Sequence, residues 1–154
     1  MKLYTIGFTQ KSAEEFFEGL KGKDISTLID VRLNNKSQLA GFAKGRDLKY
    51  FLFKLCNISY VYEEKFAPTK ELLEDWKKNK ILWEEYEFLY KKILINRDAE
   101  KIFTNRFLMV DYALPGNICF LCSESTPENC HRRLLAEYLK EYCPSLENAE
   151  IIHL

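Results

Sequence analysis

Short apolar runs that recur between stretches of helical periodicity constrain this chain most. Residues 2–8, 26–32, 58–63, 118–122 and 150–154 each read as a strand. The stretches between them carry helix signals. Ser12 is placed to cap a first helix with Glu15 as its capping-box partner, and Phe16, Phe17 and Leu20 supply its apolar face. Leu48, Phe51, Leu52 and Leu55 repeat at helical spacing over about 46–56. Residues 33–45 are polar and contain glycine, which predicts a long loop, and Leu114-Pro115-Gly116-Asn117 predicts a turn. Residues 69–109 look helical in three pieces, with their aromatic side chains used for packing, and residues 128–143 form a last helix. Strands alternating with helices imply a mostly parallel sheet with right-handed crossovers. The expected fold is therefore α/β, three layers deep, with about five strands flanked by helices. Residues 1–154 are expected to make one domain with a helical insertion at about 69–109. Ile118-Cys119-Phe120-Leu121-Cys122 is apolar on both faces, as a central parallel strand requires.

Composition narrows the function classes. Lys plus Arg number 23, and so do Asp plus Glu. A net charge of zero counts against a dedicated nucleic-acid binder, which normally shows a basic excess or stripe. The opening residues read as a strand and not as a secretion leader, and no apolar run approaches the roughly 20 residues that cross a bilayer. Five cysteines are an odd number, which suits a reducing compartment better than a disulfide scaffold. A cytoplasmic location without membrane association is expected. Cys56 and Cys143 fall near helix ends and read as packing residues. Nothing in the sequence points to a particular oligomeric state.

In an open parallel sheet the functional crevice lies at the carboxyl ends of the strands, and three strand ends here are polar. The first is Gly7-Phe8-Thr9. The second is Asp30-Val31-Arg32, whose spacing puts both charges on one face. The third is Cys122-Ser123-Glu124. Ser125-Thr126-Pro127-Glu128 then predicts a helix start, capped by Thr126 with Pro127 in the first turn or by Ser125 with Glu128 as its box partner. Cys130, His131 and Arg132 follow in the first turns, with His131 in register with Leu135 and Tyr138 and so facing inward. Free N–H groups and the dipole at such a helix start favour an anion. Taken singly, Asp30 with Arg32 reads as a structural ion pair, Cys122 as core and His131 as a packing histidine. Their coincidence at one edge favours a site.

Cys119-x-x-Cys122 followed by Cys130-His131 has the outline of a zinc-ligand set. A zinc knuckle needs a turn between its first two cysteines, whereas Phe120-Leu121 belong to a strand. Residues three apart on a strand point to opposite faces, so neither metal nor cofactor is expected.

Thr5-Ile6-Gly7, Asp30-Val31-Arg32, Ser37, Leu121-Cys122-Ser123-Glu124, Cys130-His131-Arg132 and Ile152-His153-Leu154 together resemble the family named domain of unknown function 488. The most specific part is Cys-x-Glu with Cys-His-Arg. The sequence departs from that family's pattern at Gly7-Phe8-Thr9, where Gly-His-Ser or Gly-Tyr-Ser is usual. It departs again at Tyr62-Glu63-Glu64-Lys65-Phe66, in place of a Leu-Gly-Gly-like stretch. The resemblance implies no particular activity.

The residues themselves favour a small enzyme acting on an anionic, phosphate-bearing or nucleotide-like substrate. Arg32 and Arg132 would hold the anion, since a guanidinium matches an oxyanion bidentately. Glu124 would act as general acid or base, and His131 would share that role or polarise the substrate. Cys130 beside His131 and Arg132 at a helix start is a candidate nucleophile. Gly7, Thr9, Asp30, Ser37 and Cys122 complete the substrate side. One alternative is a non-catalytic module for a nucleotide or a nucleic-acid end. Another is rhodanese-like sulfur or phosphoryl transfer, because Leu28-Ile29-Asp30-Val31-Arg32 resembles the first motif of that family. Cys122-Ser123-Glu124-Ser125-Thr126-Pro127, however, has no glycine for its anion-cradling loop.

Overall fold

The computed structural model describes residues 1–36, 40–108 and 116–154. Five strands, β1 (Lys2–Gly7), β2 (Ile25–Asp30), β3 (Ser59–Tyr62), β4 (Asn117–Cys122) and β5 (Glu150–His153), form one sheet in the order β3-β2-β4-β1-β5. Every neighbouring pair is parallel. The expected α/β fold is found, with β1, β4 and β2 adjacent at its centre. Register aligns Gly7 with Cys122 and Asp30 with Leu121, so the polar ends of these three strands emerge at one level.

Among the described residues six α-helices accompany the sheet: α1 (Ala13–Leu20), α2 (Gly45–Phe51), α3 (Lys70–Lys77), α4 (Trp83–Asn96), α5 (Ala99–Phe103) and α6 (His131–Tyr142). No described helix is long and apolar enough to cross a membrane. Strand alternation divides the core into two layers. Tyr4, Ile6, Leu28, Cys119 and Leu121 pack with Phe16, Phe17 and Leu20 of α1 and Leu48 of α2. Leu3, Ile29, Ile118, Phe120 and Cys122 pack on the opposite face with residues of α3 to α6.

Local chemistry explains most boundaries. Both halves of the α1 capping box form, Glu15 N–H donating to Ser12 Oγ at 3.1 Å and Ser12 N–H to Glu15 Oε2 at 2.7 Å. Ladder pairing continues past β2 as far as Val31, whose N–H reaches Leu121 O at 3.0 Å. It stops there because Arg32 N–H turns to the Asp30 carboxylate at 3.1 Å. The helix expected over 46–56 changes after Phe51 into a π-helical turn, Leu52–Cys56. The wider turn spoils the 3.6-residue register, so Leu48 and Leu52 are buried while Leu55 points into solvent.

One expected boundary is wrong. The last helix starts at His131, capped by the extended backbone of Cys130, and not near Thr126. Arginine side chains explain the delay. Arg132 Nη1 donates to Glu124 O at 2.8 Å, Arg133 Nε to Pro127 O at 3.3 Å and Arg133 Nη2 to Glu128 O at 3.0 Å. Residues 123–129 are thereby held as a loop whose carbonyls need no helical partners.

Candidate active site at the carboxyl edge of the sheet

Asp30 and Arg32 form a buried, two-pronged pair. Arg32 Nε donates to Asp30 Oδ1 at 2.8 Å and Nη2 to Oδ2 at 2.5 Å. Tyr60, carried by the neighbouring β3, donates its hydroxyl to Asp30 Oδ2 at 2.7 Å and accepts from Asn35 Nδ2 at 3.1 Å. The Arg32 guanidinium lies 5.1 Å from the centroid of the Phe8 ring, within cation–π range. Burial opposes the Arg32 charge, but the Asp30 carboxylate more than offsets it and the guanidinium is held more strongly protonated than usual. Burial and the Asp30 charge push the Tyr60 phenol well above its ordinary range. Tyr60 is the partner that reading along the chain misses. Only strand pairing brings β3 beside β2, and the one available signal was a tyrosine in a short strand.

Arg132 forms the second cationic element. It is fully buried on the first turn of α6, and its bond to Glu124 O draws the loop after β4 against the end of β1. Gly7 fits that contact because a Cβ there would lie 1.7 Å from Glu124 O and 3.4 Å from Arg132 Nη1. Thr9 fastens the same junction, its N–H and Oγ1 both donating to Ser123 O, at 3.1 and 2.7 Å. Gly7 and Thr9 therefore build the edge with main-chain and short side-chain contacts. The Glu124 side chain is exposed.

The described residues leave three guanidinium nitrogens buried without a hydrogen-bond partner, Arg32 Nη1 and Arg132 Nε and Nη2. Arg132 packs beside Gly7, the last residue of β1, and Arg32 beside Phe8, the next along the chain. A buried, unpaired cationic donor is costly.

Cys122, Cys130 and His131 gather on the other face of the sheet, with α3 to α6, and all three are buried. His131 faces inward as its register requires. Its Nε2 lies 2.9 Å from Val31 O and its Nδ1 3.7 Å from Cys122 Sγ. The two thiols of the cluster are shifted in opposite directions. Burial pushes Cys130 well up, and the Cys122 sulfur beside it adds to this, outweighing His131 and Arg132. Burial also pushes Cys122 upward, but the Cys130 thiol, the Ser123 and Glu124 N–H groups and the Arg132 charge together bring it below the ordinary thiol value. Cys119 belongs to the opposite core layer, as strand alternation requires.

One further described residue shares the edge. Glu63 is buried just past β3, paired with Arg106 and accepting from Lys65 N–H at 3.2 Å. It stands inside the stretch where the sequence departs from the family pattern. Ser37 lies outside the described residues, as do Leu114 and Pro115 of the turn expected at 114–117.

Fold and site define a parallel α/β protein with buried arginines and a Cys-Cys-His cluster where its central strands end. The chain belongs to the family described as Domain of unknown function DUF488, whose model matches residues 12–139. That match contains Asp30, Arg32, Cys122, Glu124 and Cys130-His131-Arg132. No curated protein and no solved structure matches the chain.

Proposed function

We propose that the edge formed by the ends of β1, β2 and β4 binds an oxyanion of a phosphate-bearing or nucleotide-like substrate, and that the protein is a small enzyme acting on it. The observation that carries this reading is the set of three buried guanidinium nitrogens that have no partner among the described residues. Asp30 occupies one side of the Arg32 fork and leaves Nη1 to the ligand. Arg132 spends Nη1 on the Glu124 carbonyl and offers Nε and Nη2. Glu124, exposed beside them, is the carboxylate available for proton transfer at the bound substrate. His131 spends Nε2 on Val31 O, which gives it a part in holding the edge together.

The test is calorimetric titration of inorganic phosphate and of nucleoside monophosphates into the wild type, Arg32→Lys and Arg132→Lys. Lysine keeps the charge and loses the planar fork, so both variants should bind at least about tenfold more weakly, and wild-type affinity should fall as salt rises. Equal affinity in all three proteins would remove the anion site. Glu124→Gln separates an enzyme from a binding module. An enzyme retains the ligand and loses turnover, whereas a binding module changes only in affinity.

A further inference from the structure

Strand alternation removes Cys119 from any shared ligand set, but it leaves Cys122, Cys130 and His131 together. We propose that these three side chains form a metal site with two thiolates, one imidazole and an open fourth position, and that Zn²⁺ is the ion it fits. One donor atom from each residue lies within 4.8 Å of the other two, and no further His, Cys, Asp or Glu joins the group among the described residues. Zn–S bonds of about 2.3 Å and Zn–N bonds of about 2.0–2.1 Å in a tetrahedron place donors roughly 3.5–3.8 Å apart. The 3.7 Å between Cys122 Sγ and His131 Nδ1 already meets that spacing.

The histidine is oriented for the task. Val31 O only accepts, so the nitrogen 2.9 Å from it, Nε2, carries the proton. Nδ1 is left with a free lone pair, and Cys122 Sγ lies beside the ring, 3.7 Å from Nδ1 and 3.5 Å from Nε2. Metal-bound histidines typically donate their other N–H to a carbonyl or carboxylate in this way, which fixes ring and tautomer. The Tyr90 ring packs edge-on to the imidazole at 5.6 Å and holds the orientation further.

Charge balance and chain geometry agree. Two thiolates, a neutral imidazole and Zn²⁺ sum to zero, which suits a buried position better than free thiolates do. Cys122 ends β4 while Cys130 and His131 open α6, so the two ends of one short connection bring all three ligands together. Three protein ligands and one open position are the arrangement of a zinc site at which water or substrate can bind.

The test uses the full-length protein, reduced and freed of metal, titrated with Co²⁺ and then with Zn²⁺. Co²⁺ should develop a thiolate charge-transfer band with the visible bands of a tetrahedral ion, and one equivalent of Zn²⁺ should abolish them. Cys119→Ser, which keeps two of the three thiols on this strand and helix start, should leave the spectrum unchanged. Cys122→Ser, Cys130→Ser and His131→Gln should each lose or reshape it, with near-ultraviolet circular dichroism confirming a folded chain. A wild-type Co²⁺ spectrum without a thiolate band overturns the proposal whatever the variants do. A band that survives Cys130→Ser, or disappears in Cys119→Ser, overturns the ligand assignment. None of these readouts depends on anion binding.

Discussion

Asp30 grips Arg32, two residues further along the same chain, through both carboxylate oxygens, at 2.8 and 2.5 Å, with both side chains almost wholly removed from solvent. The pair stops the β2 ladder, aims the guanidinium and leaves its third nitrogen without a partner among the described residues. Asp30→Asn should therefore act twice. Removing one partner of a buried pair strands the other charge, which costs about 3–5 kcal/mol, visible as a lower urea midpoint. Anion affinity should fall nearly as far as in Arg32→Ala. Normal affinity in Asp30→Asn would make the pair purely structural.

Tyr60→Phe removes the hydroxyl that donates to Asp30 Oδ2. A hydrogen bond to a charged group contributes about 1.5–3 kcal/mol, so denaturant unfolding should show a loss in that range with little change in shape.

Alkaline pH supplies an independent check on the same phenol. Its folded pKa is raised above the unfolded value by burial and by the Asp30 charge. The folded state therefore holds its proton longer than the unfolded state, and stability falls as pH rises. This contribution should be intact below about pH 10, the ordinary phenol value, and be lost progressively above it. Urea midpoints from neutral pH upward should decline less steeply in Tyr60→Phe than in the wild type, and identical slopes would contradict the assigned burial.

Gly7→Ala places a methyl group 1.7 Å from Glu124 O. Backbone must move to relieve that clash, because the neighbour is a carbonyl and not a flexible side chain. Overpacking of this kind costs about 1–3 kcal/mol or more, and the shift would carry the Glu124 carbonyl and Arg132 with it. Reduced stability with weaker phosphate binding is expected, whereas Gly19→Ala, which meets no neighbour, should leave binding unchanged.

Much of this fold is legible in the sequence because its signals are local. Alternating apolar runs and helical spacing identify all five strands, and Ser12 with Glu15 announces the start of α1 in full. Asp30 and Arg32 could be placed on one face from their spacing, and Cys119 separated from Cys122 by the same rule. The start of α6 departs from its local sequence signal for an equally physical reason. Ser125-Thr126-Pro127-Glu128 is a good local helix signal, but Arg132 and Arg133 reach back to the loop carbonyls and hold that segment out of the helix.

The pairing of Tyr60 with Asp30, the approach of Glu124 O to Gly7 and the packing of His131 against Val31 O join residues 30, 117 and 100 positions apart. None of them has a local signature. By itself the sequence determined the strand and helix pattern, and with it which charged and thiol residues fall at strand ends, because periodicity is set by each residue's own neighbours. Only the tertiary structure decided which of those ends meet, because the strand order β3-β2-β4-β1-β5 is set by how the two core layers bury their surface together. That packing, and not spacing along the chain, placed Arg32 on one face of the sheet and the Cys122–Cys130–His131 cluster on the other.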